Sequence, residues 1–378
     1  MGSFDWTLSL LLSLLLLFLV FSGCAESERQ GHLGEWTVKT NELTLRQDLQ
    51  VSETENFIFG SIADLDVTTD GHIVVLDGDA KHLKVLERDG TLIDTLGRPG
   101  NGPGEFRGPR TIDVARGDSI YVYDTRQNRL SVYTPPPSVT LDRSVLLSGS
   151  GGNLTKARVV GDRLAGYVTP GYTRKEGLYR PEPATWRVIG EGGRAGDTLT
   201  SVQRKKVATS FDGPGVVIAY LPFGRITHVA PGPDGRLYYG HTDELRVDAT
   251  SMAGRTRTIA DVPVPSIPVT GAERDSALAE IPSRIRPPIA SAFPEMKPAF
   301  TDLFVADDGR LWIRRPTDRL GAEQATWWIL DPGTKTIHEV QLPAEVDLDV
   351  ETGGRAYGKT TTKAGAPAIV RYAVDIDV

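Results

Sequence analysis

The side chains with the clearest chemical potential fall into two sets, one acidic and one basic. Asp77 and Asp124 stand 47 residues apart, each closing an apolar run, with Asp79 and Asp243 in similar settings. Carboxylates of this kind are oxygen donors for a hard cation, and Ca²⁺ is the ion they would take. Asp is equally the ordinary residue of a turn after a strand, and no resident cofactor is expected. The basic set is Arg107, Arg110, Arg204, Lys205, Arg225 and Lys297, in long connecting segments, with Phe223 and Phe300 beside them. Cations around an aromatic-lined mouth favour an anionic or sugar-like ligand, although surface Arg and Lys are also what any soluble protein displays.

Templates for catalysis fit poorly. The six histidines, His32, His72, His82, His228, His241 and His338, are scattered, with no His-Glu-x-x-His spacing and no Cys partner for zinc. No Gly-x-Ser-x-Gly elbow occurs. Gly353-Gly354-Arg355-Ala356-Tyr357-Gly358-Lys359-Thr360 matches a phosphate loop letter for letter. A working loop must open a helix, and the Thr, Gly and Pro that follow make a poor one.

The elements that must carry these residues are short strands. Ile73-Val74-Val75-Leu76-Asp77 with Leu83-Lys84-Val85-Leu86 recurs, offset by 47, as Ile120-Tyr121-Val122-Tyr123-Asp124 with Leu130-Ser131-Val132-Tyr133. A strand-like run precedes each unit and another follows, which makes four strands in about 45 residues, the size of one β-propeller blade. Weaker copies begin at Asp162, Asp234 and Asp308, each placing a turn ahead of a β-rich run. Blades are expected near residues 57–97, 108–145, 155–200, 225–265 and 300–342, and the three strands in 345–378 would be completed by residues 36–39. Closure by both chain ends removes exposed sheet edges. The expectation is an all-β propeller of six blades of four antiparallel strands. Five or seven stay open, because the step from Leu164 to Leu237 is 73 residues, too long for one blade and too short for two. Thr270-Gly271-Ala272-Glu273 is a capping box ahead of a helical spacing, so a short helical insertion is expected at about 268–290, between blades four and five. It could act as a lid or merely cover an edge. Trp312, Trp327 and Trp328 suit packing between blades, with a sugar-stacking platform as the alternative.

The run Gly97-Arg98-Pro99-Gly100-Asn101-Gly102-Pro103-Gly104-Glu105-Phe106-Arg107-Gly108-Pro109, then Ile112-Asp113-Val114, Ile120-Tyr121-Val122 and Asn128-Arg129-Leu130-Ser131-Val132-Tyr133, resembles an NHL-type repeat. More closely it resembles the six-bladed β-propeller lipoproteins and hypothetical proteins of bacteria, over roughly residues 57–135. The resemblance implies a propeller in the cell envelope and supplies no catalytic residue. Phe106 is expected to pack between blades.

The N-terminus gives an address. Residues 8–21 are Leu, Phe and Val interrupted by Ser9 and Ser13, too short for a bilayer span of about 20 residues and suited to a signal-peptide core. Phe21-Ser22-Gly23-Cys24 resembles a bacterial lipobox, and Cys24 is the single cysteine of the chain. A lone thiol in an exported protein forms no internal disulfide. The expected organisation is a signal peptide over 1–23, lipidated Cys24 opening a tether over 24–35, and one propeller over 36–378. The location would be the periplasm or outer membrane, with the lipid as membrane anchor. A plain secretory signal and an uncleaved anchor are the alternatives, since the n-region lacks Lys and Arg and carries Asp5. A net charge of -7 disfavours nucleic acid. The 40 Gly and 25 Pro spread along the chain argue for turns between strands and against a helical bundle. The function expected is a monomeric binding module for a protein, peptide or glycan. The alternative is a metal-dependent hydrolase or lyase, lactonase-like, working in the central channel. Three or more carboxylate or Asn side chains converging at the channel mouth would favour the enzyme; a mouth lined by Arg, Phe and Tyr would favour binding.

Overall fold

Strands form where β-branched and aromatic residues run between Gly and Asp turns, and where both faces of a strand are covered the run is continuously apolar. Ile73–Asp77 is buried at every position, as are the last four residues of His82–Leu86. The computed structural model describes residues 31–40, 43–53, 57–149, 151–171, 174–213 and 215–376. The signal segment and Cys24 lie outside the described residues.

Six four-stranded antiparallel blades follow one another around an axis. Blade I is Ile62–Val67, Ile73–Asp77, His82–Leu86 and Leu92–Leu96. Blade II is Pro109–Val114, Ile120–Asp124, Arg129–Tyr133 and Leu141–Leu146. Blade III is Asn153–Val160, Arg163–Thr169, Ala184–Ile189 and Ala195–Val202. Blade IV is Thr227–Pro231, Arg236–His241, Leu245–Ser251 and Thr256–Val262. Blade V is Asp302–Val305, Leu311–Arg314, Gln324–Asp331 and Thr336–Pro343. Blade VI is Asp347–Thr352, Arg355–Thr361 and Pro367–Ile376, and its fourth strand comes from the other end of the chain, Leu43–Val51. Arg355–Thr361 thus makes a strand of the phosphate-loop match.

Closure uses both chain ends, but not with the strand expected. Trp36–Thr40 lies parallel on the outer strand of blade V, as a fifth strand, with Gly31–Leu33 beyond it. The reason is the Trp36 side chain. It is 4% exposed, its indole N–H donates to the Asp261 carbonyl at 2.9 Å, and it packs with Ala260, Val262 and Ile337 at the junction of blades IV and V.

Apolar side chains gather in six interblade clusters, one at each junction. Phe106, fully buried, packs between blades I and II, and a ring of that size contributes about 1.5–3 kcal/mol when buried. Trp312 and Trp327 are fully buried between blades V and VI, where Phe304 stacks on Trp312 at 5.4 Å; Trp328 faces blade IV.

The irregular step between Leu164 and Leu237 is an insertion. Gly177–Tyr179, Val207–Asp212 and Gly215–Tyr220 form a separate three-stranded sheet in that order. Helix α1, Gly271–Ala279, starts at a complete capping box of Thr270 and Glu273, and α2 is Arg286–Ser291. Sheet and helices share one small core of Ala208, Leu221, Ile281, Ile285 and Ile289. The long connections 203–224 and 265–299 therefore meet in one cap, whereas the connection 97–109, with Phe106, stays between blades.

Candidate functional site

The innermost strand of each blade faces the axis, and polar residues recur at one level of it. Counting back three positions from the residue opposite the first apolar residue of the second strand (Ile73, Ile120, Leu164, Leu237, Leu311 and Ala356) gives Asp64, Thr111, Lys156, His228, Asp302 and Leu348. At the last position a bulge between Leu348 and Val350 adds Asp349 to the wall. These strands, with parts of the cap, enclose a cavity of about 800 Å³.

On one side of the axis the carboxylates are tied into the frame. Asp64 and Asp66 of blade I accept from the backbone N–H of Ile112 (3.0 Å) and Val114 (2.6 Å) of blade II, and Asp113 accepts from Val159 of blade III at 3.1 Å. Arg158 sits among them, donating to Asp113 (3.1 Å), Asp64 (3.2 Å) and the Ile112 carbonyl (2.8 Å). Burial pushes Asp113 up to about 7 and Asp66 up to about 6. Burial also works against the charge on Arg158, but Asp64 and Asp113 outweigh it and hold the guanidinium above its ordinary range.

Across the axis, burial lifts Asp302 to about 6 and Asp349 to about 7. Lys359 donates to Asp349 Oδ1 at 2.7 Å, leaving the buried Oδ2 without a hydrogen-bond partner. The wall between blades III and IV has the opposite sign. Lys156, Arg204 and Lys205 line it, with Tyr167, Trp186 and Tyr220. Burial lowers the pKa of both lysines, with Arg158 adding to the effect on Lys156. Burial, then Lys156 and Lys205, lower His228 to about 4. His228 is thus neutral at neutral pH, and its 3.6 Å approach to Asp302 is not an ion pair.

Of the residues expected at a ligand site, Arg204 and Lys205 line the cavity. Arg107 and Arg110 are exposed at the entrance to blade II and do not line it. Phe223 packs on Phe293, and Arg225 ties Asp243 to the carbonyls of Phe223 and Met296. Lys297 is enclosed, its Nζ 2.5 Å from Glu273 and 2.7 Å from the Thr317 carbonyl, and Phe300 is fully buried. Lys297 belongs to the seat of the cap, and Phe300 to the core between blades IV and V. Among the cation candidates, Asp77 accepts from Gly60, Ser61 and Ala80 N–H and from Lys84 Nζ at 2.8 Å. Asp124 accepts from the N–H of Arg107, Gly108, Arg126 and Gln127, and Asp243 pairs with Arg225 and His241. These carboxylates already serve as acceptors holding turns together. Among the described residues the one group of three acids with ligand atoms in mutual reach is Asp307, Asp308 and Glu351, at the far ends of the inner strands of blades V and VI.

Sequence reasoning passed over Asp64, Asp66, Asp113, Lys156, Arg158, Asp302 and Asp349. A signal existed: Asp66 to Asp113 and Asp302 to Asp349 are both 47 residues, and Asp inside an apolar strand runs against β-propensity.

A family model described as a 6-bladed beta-propeller, DUF5128, matches residues 49–135. The protein is a six-bladed β-propeller. Among solved structures, a Bacteroides fragilis protein described as exported aligns with a TM-score of 0.53 at 11% identity, covering 89% of this chain and 95% of its own. A DUF4221 family member from Bacteroides vulgatus aligns at 0.51 and 8% identity, covering 89% and 99%. At these identities the likeness is one of fold. No curated protein matches the chain in sequence. The propeller's blades, rather than any relative, are what place its cavity residues.

Proposed function

We propose that this propeller is an exported binding module that holds an anion-bearing segment of a peptide or glycan in the channel cavity. The observation that carries the reading is the wall of Lys156, Arg204 and Lys205. Three cations face an 800 Å³ cavity, and none has an ion-pair partner among the described residues. Like charges gathered on one wall without counter-charges repel one another, and an anionic ligand would relieve that repulsion. Tyr167 and Tyr220 on the same wall offer ring faces to a sugar or peptide, while Trp186 behind them is core.

The carboxylates that converge on the channel are the feature a metal-dependent hydrolase would share. Here Arg158 occupies the space among Asp64 and Asp113 as a built-in cation, and the channel carboxylates do not bring three ligand atoms within reach of one another. The convergence of these carboxylates alone meets the mark set for the enzyme; the internal Arg158 and, among the described residues, the spread of those ligand atoms weigh for binding instead. Export and lipid anchoring rest on residues 8–24, and the exported relative in fold supports export. The test is an array of acidic and neutral peptides and oligosaccharides probed with the mature protein. Retention of acidic members, weakening with salt, supports the reading; retention of neutral members alone refutes it.

A further inference from the structure

The cap carries an unprotected edge. Gly215–Tyr220 is the outer strand of the inserted sheet, and among the described residues no strand pairs with its free side. Its side chains alternate. Val217 and Ala219 pack toward the helices, while Val216, Ile218 and Tyr220 stand 44%, 47% and 60% exposed. Edge strands in soluble proteins are normally blunted by charge, Pro or a bulge, because a flat apolar edge recruits another strand. None of those devices falls on the six residues of this strand, and its last residue, Tyr220, lines the charged cavity.

Resting on the reading that the cavity takes an anion, we infer that the ligand is an extended peptide that adds to this edge as a fourth strand. Its backbone pairs with Gly215–Tyr220, and alternate apolar side chains lie against Val216, Ile218 and Tyr220. Beyond Tyr220 an acidic residue or the terminal carboxylate meets Lys205, Arg204 and Lys156. Strand addition draws affinity from main-chain hydrogen bonds and specificity from alternate side chains, and here the cation wall fixes which end of the peptide enters. A glycan would use the cations and rings but not the open backbone edge.

The experiment selects a phage-displayed library of random twelve-residue peptides in parallel on the wild-type chain, on V216K/I218K and on K156A/K205A. Circular dichroism and thermal unfolding check that each variant is folded. The wild-type protein should enrich peptides with apolar residues at alternate positions next to Asp or Glu. V216K/I218K should lose the alternation and about ten-fold in affinity for the enriched peptide, a difference of about 1.4 kcal/mol, while K156A/K205A should lose the acidic preference. N-methylating the peptide amides in one alternate phase should abolish binding, and in the other should leave it. Equal enrichment on V216K/I218K, equal effects of both N-methyl phases, or no enrichment on the wild-type chain overturns the strand-addition inference. So does a dimer formed through the edge in sedimentation velocity. Acidic preference that survives in K156A/K205A overturns the cavity reading instead.

Discussion

Arg158 of blade III donates to Asp113 of blade II at 3.1 Å, and the same nitrogen lies 3.2 Å from Asp64 of blade I. One guanidinium therefore fastens three consecutive blades at the axis. Replacing it with Met leaves buried carboxylates without a counter-charge, at a cost of about 3–5 kcal/mol when they are ionised. Asp113 and Asp66 have folded pKa values raised above 3.8, so their contribution favours the folded state at low pH. It is lost as pH rises through about 7 and about 6 respectively. Urea unfolding should show R158M losing more stability at pH 8 than at pH 5, and D113N flattening the decline between pH 4 and 7. Equal losses at both pH values would contradict the assignment.

Asp77 is fully buried and pairs with Lys84, whose side chain is 4% exposed. Burial opposes its ionisation, but Lys84 and the amides of Gly60, Ala80 and Ser61 outweigh it and hold the carboxyl below its usual range. D77A should cost about 3–5 kcal/mol by stranding Lys84. Thermal unfolding of the wild-type protein should not change with Ca²⁺ or a chelator if Asp77, Asp124 and Asp243 act only as hydrogen-bond acceptors. A Ca²⁺-dependent rise in Tm abolished by substituting any of the three would reverse that view.

Ring closure depends on Leu43–Val51 and not on the strand of Trp36. Deleting residues 31–40 should lower Tm while leaving a cooperatively folded propeller, with W36A alone costing about 3–5 kcal/mol. Extending the deletion through residue 51 should abolish the cooperative transition, because blade VI would be left with an open edge. Circular dichroism melts of the two truncations distinguish the roles; cooperative folding of the longer truncation would refute closure by this strand.

The fold was legible because blades I and II repeat at a strict 47-residue offset, which places Asp77 and Asp124 at the same turn. The inserted sheet was not, because Gly177–Tyr179 pairs with Val207–Asp212 across two strands of blade III, a long-range pairing with no local periodicity. Lys297 read as a surface cation because its partner, Glu273, is brought to it by helix packing 24 residues away. Trp36 was rightly expected in a strand, but its place was decided by an indole-sized gap between blades IV and V. The channel residues are written as Asp, Lys and His inside strands, and only the ring brings blades I, III, IV, V and VI to one level.

The most direct measurement is isothermal titration of hexaglutamate and hexagalacturonate, each beside a neutral hexamer, into the wild-type chain and K156A/K205A. Binding of at least one acidic hexamer to the wild-type protein, weakened by salt and lost in the variant with no fall in Tm, is the predicted result. Affinity for an acidic hexamer that is the same in both proteins would contradict the claim that these lysines hold an anion in the channel.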